Sequence, residues 1–309
     1  MIRKLITLAI SLLILAAIYY KIDIVRLGAV LAHADPLFLF LSLGMVVPLT
    51  VFTAWRLQIL APARAQLGLA EATRLILVAS VLNMVLPSKM GDLAKAWFMK
   101  SDDMRGGVAF SLVIFEKAAD MLSLLFWCAL GLVFYPRKDA IFWILTAIVI
   151  AGLIVGILLL GSRSLVNFVF ACAARFAPAQ LGTFEIGWRE MQSLFWSDRP
   201  RMLGVFMLSI FIWLLHLLQI WLFMVALRAS VPFLANLGLA PLAILTGLLP
   251  FSFAGIGTRD AALIVLYRPY FAAPVAAALG LLCTARYVLP ALAGLPFLHR
   301  YVTRSPHDE

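Results

Sequence analysis

One long apolar stretch of the chain carries three ionisable side chains in its middle. Glu116, Lys117 and Asp120 lie about 15 Å from the start of the helix that we predict over residues 106–134, at 1.5 Å per residue. On a helical wheel the three side chains share an arc of about 100°. If this helix spans a membrane, each charge costs about 2.5–3.5 kcal/mol on insertion and marks a functional site by default. The charged face is therefore predicted to point into the protein, where Lys117 and Asp120 can partly neutralise each other.

Two polar interruptions divide other apolar stretches. Each has a Leu-Pro step, a polar turn that contains glycine, and an aspartate that opens a second apolar helix. The residues of the two interruptions are Asn83, Pro87, Ser88, Gly91, Asp92 and Lys95, and then Pro250, Gly255, Gly257, Arg259 and Asp260. Irregular backbone at membrane depth is tolerated only where protein buries it or where it lines a wet cavity. A pair of such breaks in corresponding places of two halves indicates the binding site of a transporter.

A further cation, Arg286, lies at mid-depth of the last apolar run. Lys117 follows Asp92 by 25 residues, and Arg286 follows Asp260 by 26, so the two halves place a cation at nearly the same distance from each break. Cations beside exposed helix N-termini are complementary to an anion such as a phosphate. The alternative is a set of internal ion pairs that hold helices in register.

The candidate site residues divide by their expected role. We expect the substrate to be bound by Asn83, Ser88, Lys95, Lys117, Arg259 and Arg286, and these cations to be oriented by Asp92, Glu116, Asp120 and Asp260. The backbone breaks are assigned to Pro87, Gly91, Pro250, Gly255 and Gly257. Neutral side chains such as Asn83 and Ser88 are equally suited to capping a half-helix.

The composition places these elements in a membrane. Hydrophobic residues make up 64% and charged residues 13% of the 309 residues, and the mean hydropathy is +1.03. A globular protein has roughly 45–50% apolar and about 25% charged residues. The formal net charge of +10 comes from cations scattered through short loops, which argues against a nucleic-acid partner and fits cytoplasmic loops near anionic lipid headgroups.

The apolar runs predict an all-α polytopic membrane protein that forms one membrane domain over residues 1–309. We expect about six spanning helices at 5–20, 37–55, 106–134, 140–161, 202–227 and 273–297, with two re-entrant hairpins at 72–100 and 237–268. Residues 37–134 and 202–297 would be inverted-topology repeats, and 162–200 a cytoplasmic amphipathic segment. Both termini are expected on the cytoplasmic side of the inner (plasma) membrane. An eight-span arrangement, in which the hairpin arms cross fully, is the alternative.

Signatures of enzymes and cofactor sites do not occur in the sequence. There is no GxSxG, P-loop or complete dinucleotide fingerprint, and the four histidines and three cysteines are dispersed. We therefore predict a protein that is not an enzyme and that uses no cofactor or metal.

The motifs together resemble a known family. Asn83-x-x-Leu-Pro87 through Gly91-Asp92, then Glu116-Lys117-x-x-Asp120, then Pro250 through Gly255-Ile-Gly257-Thr-Arg259-Asp260 are similar to signatures of the lysylphosphatidylglycerol synthase transmembrane-region family, also called flippase-like membrane proteins. The resemblance covers roughly residues 5–300. It implies a lipid flippase-like fold.

The sequence departs from the usual pattern of that family at four positions. Lys95 and Lys117 stand where arginine is usual, Ala254 replaces a glycine, and Asp260 replaces a glutamate. The charged replacements keep their sign, but lysine lacks the bidentate fork of arginine, so a different headgroup preference is expected. Only a few polar residues follow the last predicted helix, so the soluble synthase domain of bifunctional relatives, and with it aminoacyl transfer, is not expected.

The functional expectation is a flippase-like protein that binds and translocates an anionic or phosphate-bearing lipid. The resemblance leaves a phospholipid, an aminoacylated phosphatidylglycerol, a polyprenyl-phosphate and a glycolipid open. One alternative is a non-transporting accessory that holds a lipid- or glycan-modifying membrane enzyme as its partner, and an oligomer is compatible with the sequence. A second alternative is a lipid-modifying enzyme with Asp92 or Asp260 as its general base.

Overall fold

The described part of the chain is entirely helical. The computed structural model describes residues 24–61, 67–86, 91–99, 106–134, 138, 140–174, 178–248 and 257–302. Within these ranges thirteen helices follow one another: α1 (Ile24–Ala32), α2 (Pro36–Gly44), α3 (Val46–Leu60), α4 (Leu69–Val85), α5 (Gly91–Phe98), α6 (Gly106–Val133), α7 (Ala140–Gly161), α8 (Arg163–Ala174), α9 (Pro178–Ser197), α10 (Arg199–Ala226), α11 (Phe233–Gly247), α12 (Thr258–Leu266) and α13 (Ala273–Val302). The predicted helix at 5–20 lies outside the described residues.

Several of these helices are built to cross a membrane. In the described ranges four helical stretches are long and apolar enough. They are Pro36–Leu60, which consists of α2 and α3, and Phe142–Gly161, Arg199–Ala226 and Ala273–Tyr301, which belong to α7, α10 and α13. Helix α6 has 28 residues, the same length as α10, and differs by the three ionisable side chains in its middle. The chain is therefore a multi-pass membrane protein of the all-α class.

The first of these four spans begins with a cap and ends later than the sequence predicts. The carboxylate of Asp35 accepts hydrogen bonds from the backbone N–H groups of Leu37 at 3.0 Å and Phe38 at 3.3 Å, which fixes the start of α2. The predicted end at residue 55 was wrong, because α3 continues to Leu60. Arg56 lies beyond the predicted end but within the observed helix, and it is 1% exposed.

Both interrupted stretches form a longer helix followed by a shorter one. Helices α4 and α5 have 17 and 8 residues, and helices α11 and α12 have 15 and 9. Each is shorter than the roughly 20 residues that a spanning helix needs. Helix α5 packs back on α4, and α12 packs on α11. The breaks at Pro87 and Ser88 and at Pro250 and Gly255 lie outside the described residues.

The long arm of each pair packs against a long helix of the other half. Helix α4 contacts α13, and α11 contacts α6. These crossings are close: a Cβ on Gly131 would lie 2.0 Å from the backbone nitrogen of Gly238, and one on Gly294 would lie 2.3 Å from the carbonyl oxygen of Leu77. Only glycine allows backbones to approach so closely, so these residues fix where the two halves meet.

The polar segment over 162–200 contains two helices, α8 and α9, and one of them covers the charged helix. Helix α9 packs on α6, where Met191 is fully buried and Trp188 lies 6.4 Å from Phe115 between ring centroids. The opposite face of α9 carries the exposed side chain of Ile186 and the surface pair of Arg189 with Glu185 at 2.6 Å. The amphipathic pattern of this segment therefore buries one face on the protein.

Candidate functional site

Six charged side chains from α3, α5 and α6 form a closed ring of ion pairs. We call this set the charge ring; its members are Arg56, Asp92, Lys95, Glu116, Lys117 and Asp120. Glu116 is its most deeply buried acid, with no exposed surface. Arg56 Nη2 lies 2.9 Å from Glu116 Oε1, and Lys95 Nζ lies 2.7 Å from Glu116 Oε2.

The other two acids close the ring. Lys95 Nζ lies 3.9 Å from Asp92 Oδ1, and Lys117 Nζ lies 2.8 Å from Asp92 Oδ2. Lys117 Nζ also lies 3.2 Å from Asp120 Oδ2, and Arg56 Nη1 lies 2.5 Å from Asp120 Oδ1. Each charge thus has two neighbours of opposite sign, and the ring as a whole is neutral.

Helix α10 supplies neutral hydrogen bonds to the ring. The indole Nε1 of Trp213 donates to Asp120 Oδ1 at 3.2 Å, and Arg56 Nη1 donates to the hydroxyl of Ser209 at 3.0 Å. Ser209 is fully buried, and its hydroxyl donates a hydrogen bond to the carbonyl of Val205 at 2.8 Å. Buried ions are tolerated when their remaining hydrogen-bonding capacity is met, and these contacts meet part of it; no described residue accepts a hydrogen bond from Arg56 Nε.

The short helix α5 is held against α4 by a reciprocal amide–carboxylate contact. The Asn83 side chain donates to Asp92 Oδ1 at 3.2 Å and accepts from the Asp92 backbone N–H at 3.2 Å. A Cβ on Gly91 would lie 2.4 Å from the backbone nitrogen of Asn83, so glycine is required at the start of α5. These contacts bring Asp92 to the ring.

A cavity of about 440 Å³ opens beside the ring, between helices of both halves. Its charged lining residues are Arg56, Asp92, Lys117, Asp120 and Arg286. The other two members of the ring, Glu116 and Lys95, are not part of the lining. Among the ring members Lys117 is the most exposed, with 36% of its side chain accessible, against 1% for Lys95. The cavity therefore meets a neutral set of charges on one wall and Arg286 on another.

Arg286 is the cation of this cavity that is not in the ring. It is 4% exposed, its Nη2 donates to the Tyr287 hydroxyl at 2.8 Å, and its Nη1 lies 3.4 Å from Gln219 Oε1. The guanidinium also lies 4.8 Å from the centroid of the Tyr287 ring, and no residue in the described ranges accepts a hydrogen bond from its Nε. No carboxylate of the described residues lies within ion-pair distance, so Arg286 is a buried positive charge whose partners are neutral.

Arg259 and Asp260 lie away from the cavity and join α12 to α13. Arg259 Nη2 donates to Asp260 Oδ1 at 2.7 Å, to the carbonyl of Gly280 at 3.0 Å and to the hydroxyl of Thr284 at 2.8 Å. Asp260 Oδ2 accepts from the backbone N–H of Gly257 at 3.1 Å, which caps α12. Gly257 has φ of 92°, a conformation that favours glycine.

The chain matches a known protein family over most of its length. The profile described as the lysylphosphatidylglycerol synthase TM region matches residues 4–294. The chain belongs to this family. It is also similar to the UPF0104 membrane protein MJ1595 of Methanocaldococcus jannaschii, with 23% identity over 94% of this chain and 93% of that protein.

The structure gathers some of the predicted site residues of this family member and separates others. Lys117, Asp92, Asp120, Asn83 and Arg286 line the cavity. Lys95 and Glu116 belong to the ring but do not line the cavity. Arg259 and Asp260 form a separate ion pair between α12 and α13, and Ser88 lies outside the described residues. The assignment of Lys95 and Arg259 to substrate binding stays a prediction, since their described contacts are with protein groups.

Arg56 is central to the ring but is not among the site residues predicted from the sequence. Its position after Trp55 resembles the end of a spanning helix at the membrane surface. A charge count indicates that a second cation is needed, because Lys117 alone cannot balance both Glu116 and Asp120 on the same helix, but it does not indicate which residue supplies it. Gln219 and Tyr287, which contact Arg286, carried no comparable signal in the sequence.

Proposed function

We propose that this protein binds and translocates an anionic or phosphate-bearing lipid whose headgroup enters the cavity and contacts Arg286. The observation that carries the proposal is the burial of Arg286 beside the cavity, where its partners among the described residues are all neutral. A buried cation without a counter-ion is costly in a membrane protein, and an anionic ligand would offset that cost. Arginine also offers the fork of donors that matches a phosphate.

The charge ring supports the proposal by shaping the opposite wall. Because the ring is internally neutral, its carboxylates do not cancel the attraction of Arg286 for an anion. Lys117 is the most exposed cation of the ring, with 36% of its side chain accessible, so it is the ring cation that a headgroup can reach most easily. Asp92 and Asp120 orient it. The site would therefore consist of Arg286 with Lys117 as a second contact, and the lipid chains would stay in the bilayer.

The proposed architecture is six spans with two re-entrant hairpins in inverted repeats. The lengths of α4 with α5 and of α11 with α12 support it, because none of these four helices is long enough to cross alone. The reciprocal packing of α4 on α13 and of α11 on α6 also supports it. We propose the inner membrane as its location, with both termini in the cytoplasm, and no catalytic role.

Lipid translocation in proteoliposomes tests the proposal. Purified protein would be reconstituted with headgroup-labelled lipids, and movement between leaflets would be measured for wild type, Arg286→Gln and the control Arg199→Gln. Arg199 is an exposed cation at the start of α10, 13 residues before Ile212, the first residue of that helix in the cavity lining. We expect wild type and Arg199→Gln to move an anionic lipid and Arg286→Gln to lose most of that rate.

Two other results would redirect the proposal. Folded protein that moves no lipid, while co-purifying with a lipid- or glycan-modifying enzyme, would support the accessory role. A change in lipid mass after incubation with purified protein would support an enzyme, since flipping leaves the lipid chemically unchanged.

A further inference from the structure

The cavity has a net charge that can be counted from its described residues. The charge ring contains three acids and three bases, and each acid has two basic neighbours. Arg286 adds one positive charge with no acidic neighbour in the described ranges. Counting only aspartate, glutamate, lysine and arginine, the described part of the site therefore has one uncompensated positive charge and no carboxylate left over for a cationic group.

The neutral part of the lining offers hydrogen-bond acceptors. The hydroxyls of Thr50 and Thr53 donate to the carbonyls of Val46 and Leu49, each at 2.7 Å, one turn earlier in α3. On α4, Ser80 likewise donates at 2.9 Å within its own helix. Thr50, Thr53 and Ser80 line the cavity, and since each hydroxyl has one proton and two lone pairs, all three oxygens keep acceptor capacity only. Ligand groups that donate, such as hydroxyls, match this wall.

We propose that the preferred ligand is a phosphodiester lipid with one negative charge and a neutral headgroup that carries hydroxyls. This inference rests on the proposed function and narrows its substrate class. The single negative charge of the ligand pairs with Arg286, and the hydroxyls of its headgroup donate to Thr50, Thr53 and Ser80. Phosphatidylglycerol has this chemistry, whereas its lysyl ester carries two ammonium groups and one phosphate charge.

Two classes of lipid fit the site poorly for opposite reasons. An ammonium headgroup would find Asp92, Glu116 and Asp120 already paired, so it would have to displace Arg56, Lys95 or Lys117. A phosphomonoester carries a charge of about −1.5 to −2 near neutral pH, and its second charge would have to pull Lys117 away from Asp92 and Asp120. Lys117 itself is 36% exposed, but Asp92 and Asp120 are largely buried, and leaving each with one basic neighbour is unfavourable.

Equilibrium binding to the purified full-length chain in detergent tests the inference. The probes are phosphatidylglycerol, phosphatidylethanolamine, lysyl-phosphatidylglycerol and phosphatidic acid with the same acyl chains, together with water-soluble glycerophosphoglycerol. A charge-assisted hydrogen bond is worth roughly tenfold to a hundredfold in affinity, so phosphatidylglycerol should exceed the other three lipids by about tenfold or more. Equal affinities, or a preference for lysyl-phosphatidylglycerol, would overturn the inference.

The soluble probe separates a lipid site from a site for the free phosphodiester. Competition by glycerophosphoglycerol as strong as that by the lipid would assign the site to the headgroup alone and overturn the lipid preference. Weak competition that still depends on Arg286 would show that the acyl chains contribute to binding, as we expect.

Charge variants provide the sharper test. Arg286→Glu changes the count from +1 to −1, so the preference should reverse toward lysyl-phosphatidylglycerol. Asp120→Asn raises the count to +2 and should improve the relative affinity for phosphatidic acid. Glu185→Gln removes a carboxylate on the surface of α9 and serves as the matched control, with selectivity unchanged.

Thermal unfolding of each variant identifies those that fold. If Asp120→Asn does not fold, Arg286→Glu still decides the question, because Arg286 has no acidic partner that a glutamate would repel. Unchanged selectivity in folded Arg286→Glu would overturn the inference. Translocation without headgroup selectivity would support the proposed function and overturn this inference alone. Selective binding without translocation would support the headgroup preference and overturn the proposed transport.

Discussion

The six members of the charge ring alternate in sign around a closed circuit. A single buried ion pair can cost more in desolvation than it returns, and removing one partner leaves an unpaired charge. In the ring each charge has two opposite neighbours, and Ser209 and Trp213 satisfy further capacity at Arg56 and Asp120. The ring is therefore sensitive to the loss of any one member, which makes its contribution measurable.

We expect Arg56→Met to lower the free energy of unfolding by about 3–5 kcal/mol, because it leaves Glu116 and Asp120 with one basic neighbour each. The matched control is Arg189→Met, which removes a cation whose side chain is 57% exposed and paired with Glu185 on the surface of α9. That change should stay within about 1 kcal/mol. Unfolding in mixed detergent, followed by tryptophan fluorescence, measures both, and equal losses would contradict a structural role for the ring.

Part of this site could be predicted from local sequence. Glu116, Lys117 and Asp120 lie on one helix, so their depth and shared face follow from helical geometry. Their partners could not be predicted in the same way, because Arg56 lies 60 residues before Glu116 and Lys95 lies 21 before it. Sequence spacing therefore indicates that a buried charge needs a partner, but packing decides which residue it is.

Glycine controls the close crossings at the scale of whole helices. Gly131 on α6 and Gly238 on α11 face each other with their backbones in contact, and Gly294 on α13 meets α4 at Leu77. Gly204 on α10 has no atom within 4 Å of an added Cβ. The four glycines lie in helices of the same fold but differ in what surrounds them.

We expect Gly131→Ala to destabilise the protein by about 1–3 kcal/mol, since the added methyl group would force α6 and α11 apart. Gly204→Ala should be neutral or stabilising by up to about 1 kcal/mol, because alanine favours the helix and open space receives its methyl group. Apparent melting temperatures in the same detergent compare the two variants. A larger loss for Gly204→Ala than for Gly131→Ala would contradict this account of the crossing.

The predicted helices agree well with the observed ones where hydropathy alone decides. Helix α7 matches its predicted range of 140–161, and α6 ends one residue before its predicted end. The packing of α4 on α13 and of α11 on α6 could not be read from the sequence, because apolar composition marks a helix as buried without naming its neighbour. Span number and repeat symmetry stay predictions for the same reason.

The topology of the whole molecule gives a separate prediction. If α11 and α12 form a re-entrant hairpin, the loops on either side of the pair lie on the same face of the membrane. Arg228 and Arg268 are exposed residues of these two loops. In a background that lacks the native cysteines, Arg228→Cys and Arg268→Cys should both react with an impermeant thiol reagent from outside, and Ser197→Cys only from inside. Reaction of the first two from opposite sides would overturn the hairpin.

The charge ring also constrains how the protein is made. Arg56 is synthesised 60 residues before Glu116, an interval of about 3 to 12 s at typical rates of chain elongation. During that interval α3 has reached the membrane with a charge whose acidic partners are not yet present. The ring can close only after α6 has been synthesised, and we expect α3 to need a polar environment until then. The order of synthesis thus sets the order in which these buried ion pairs can form.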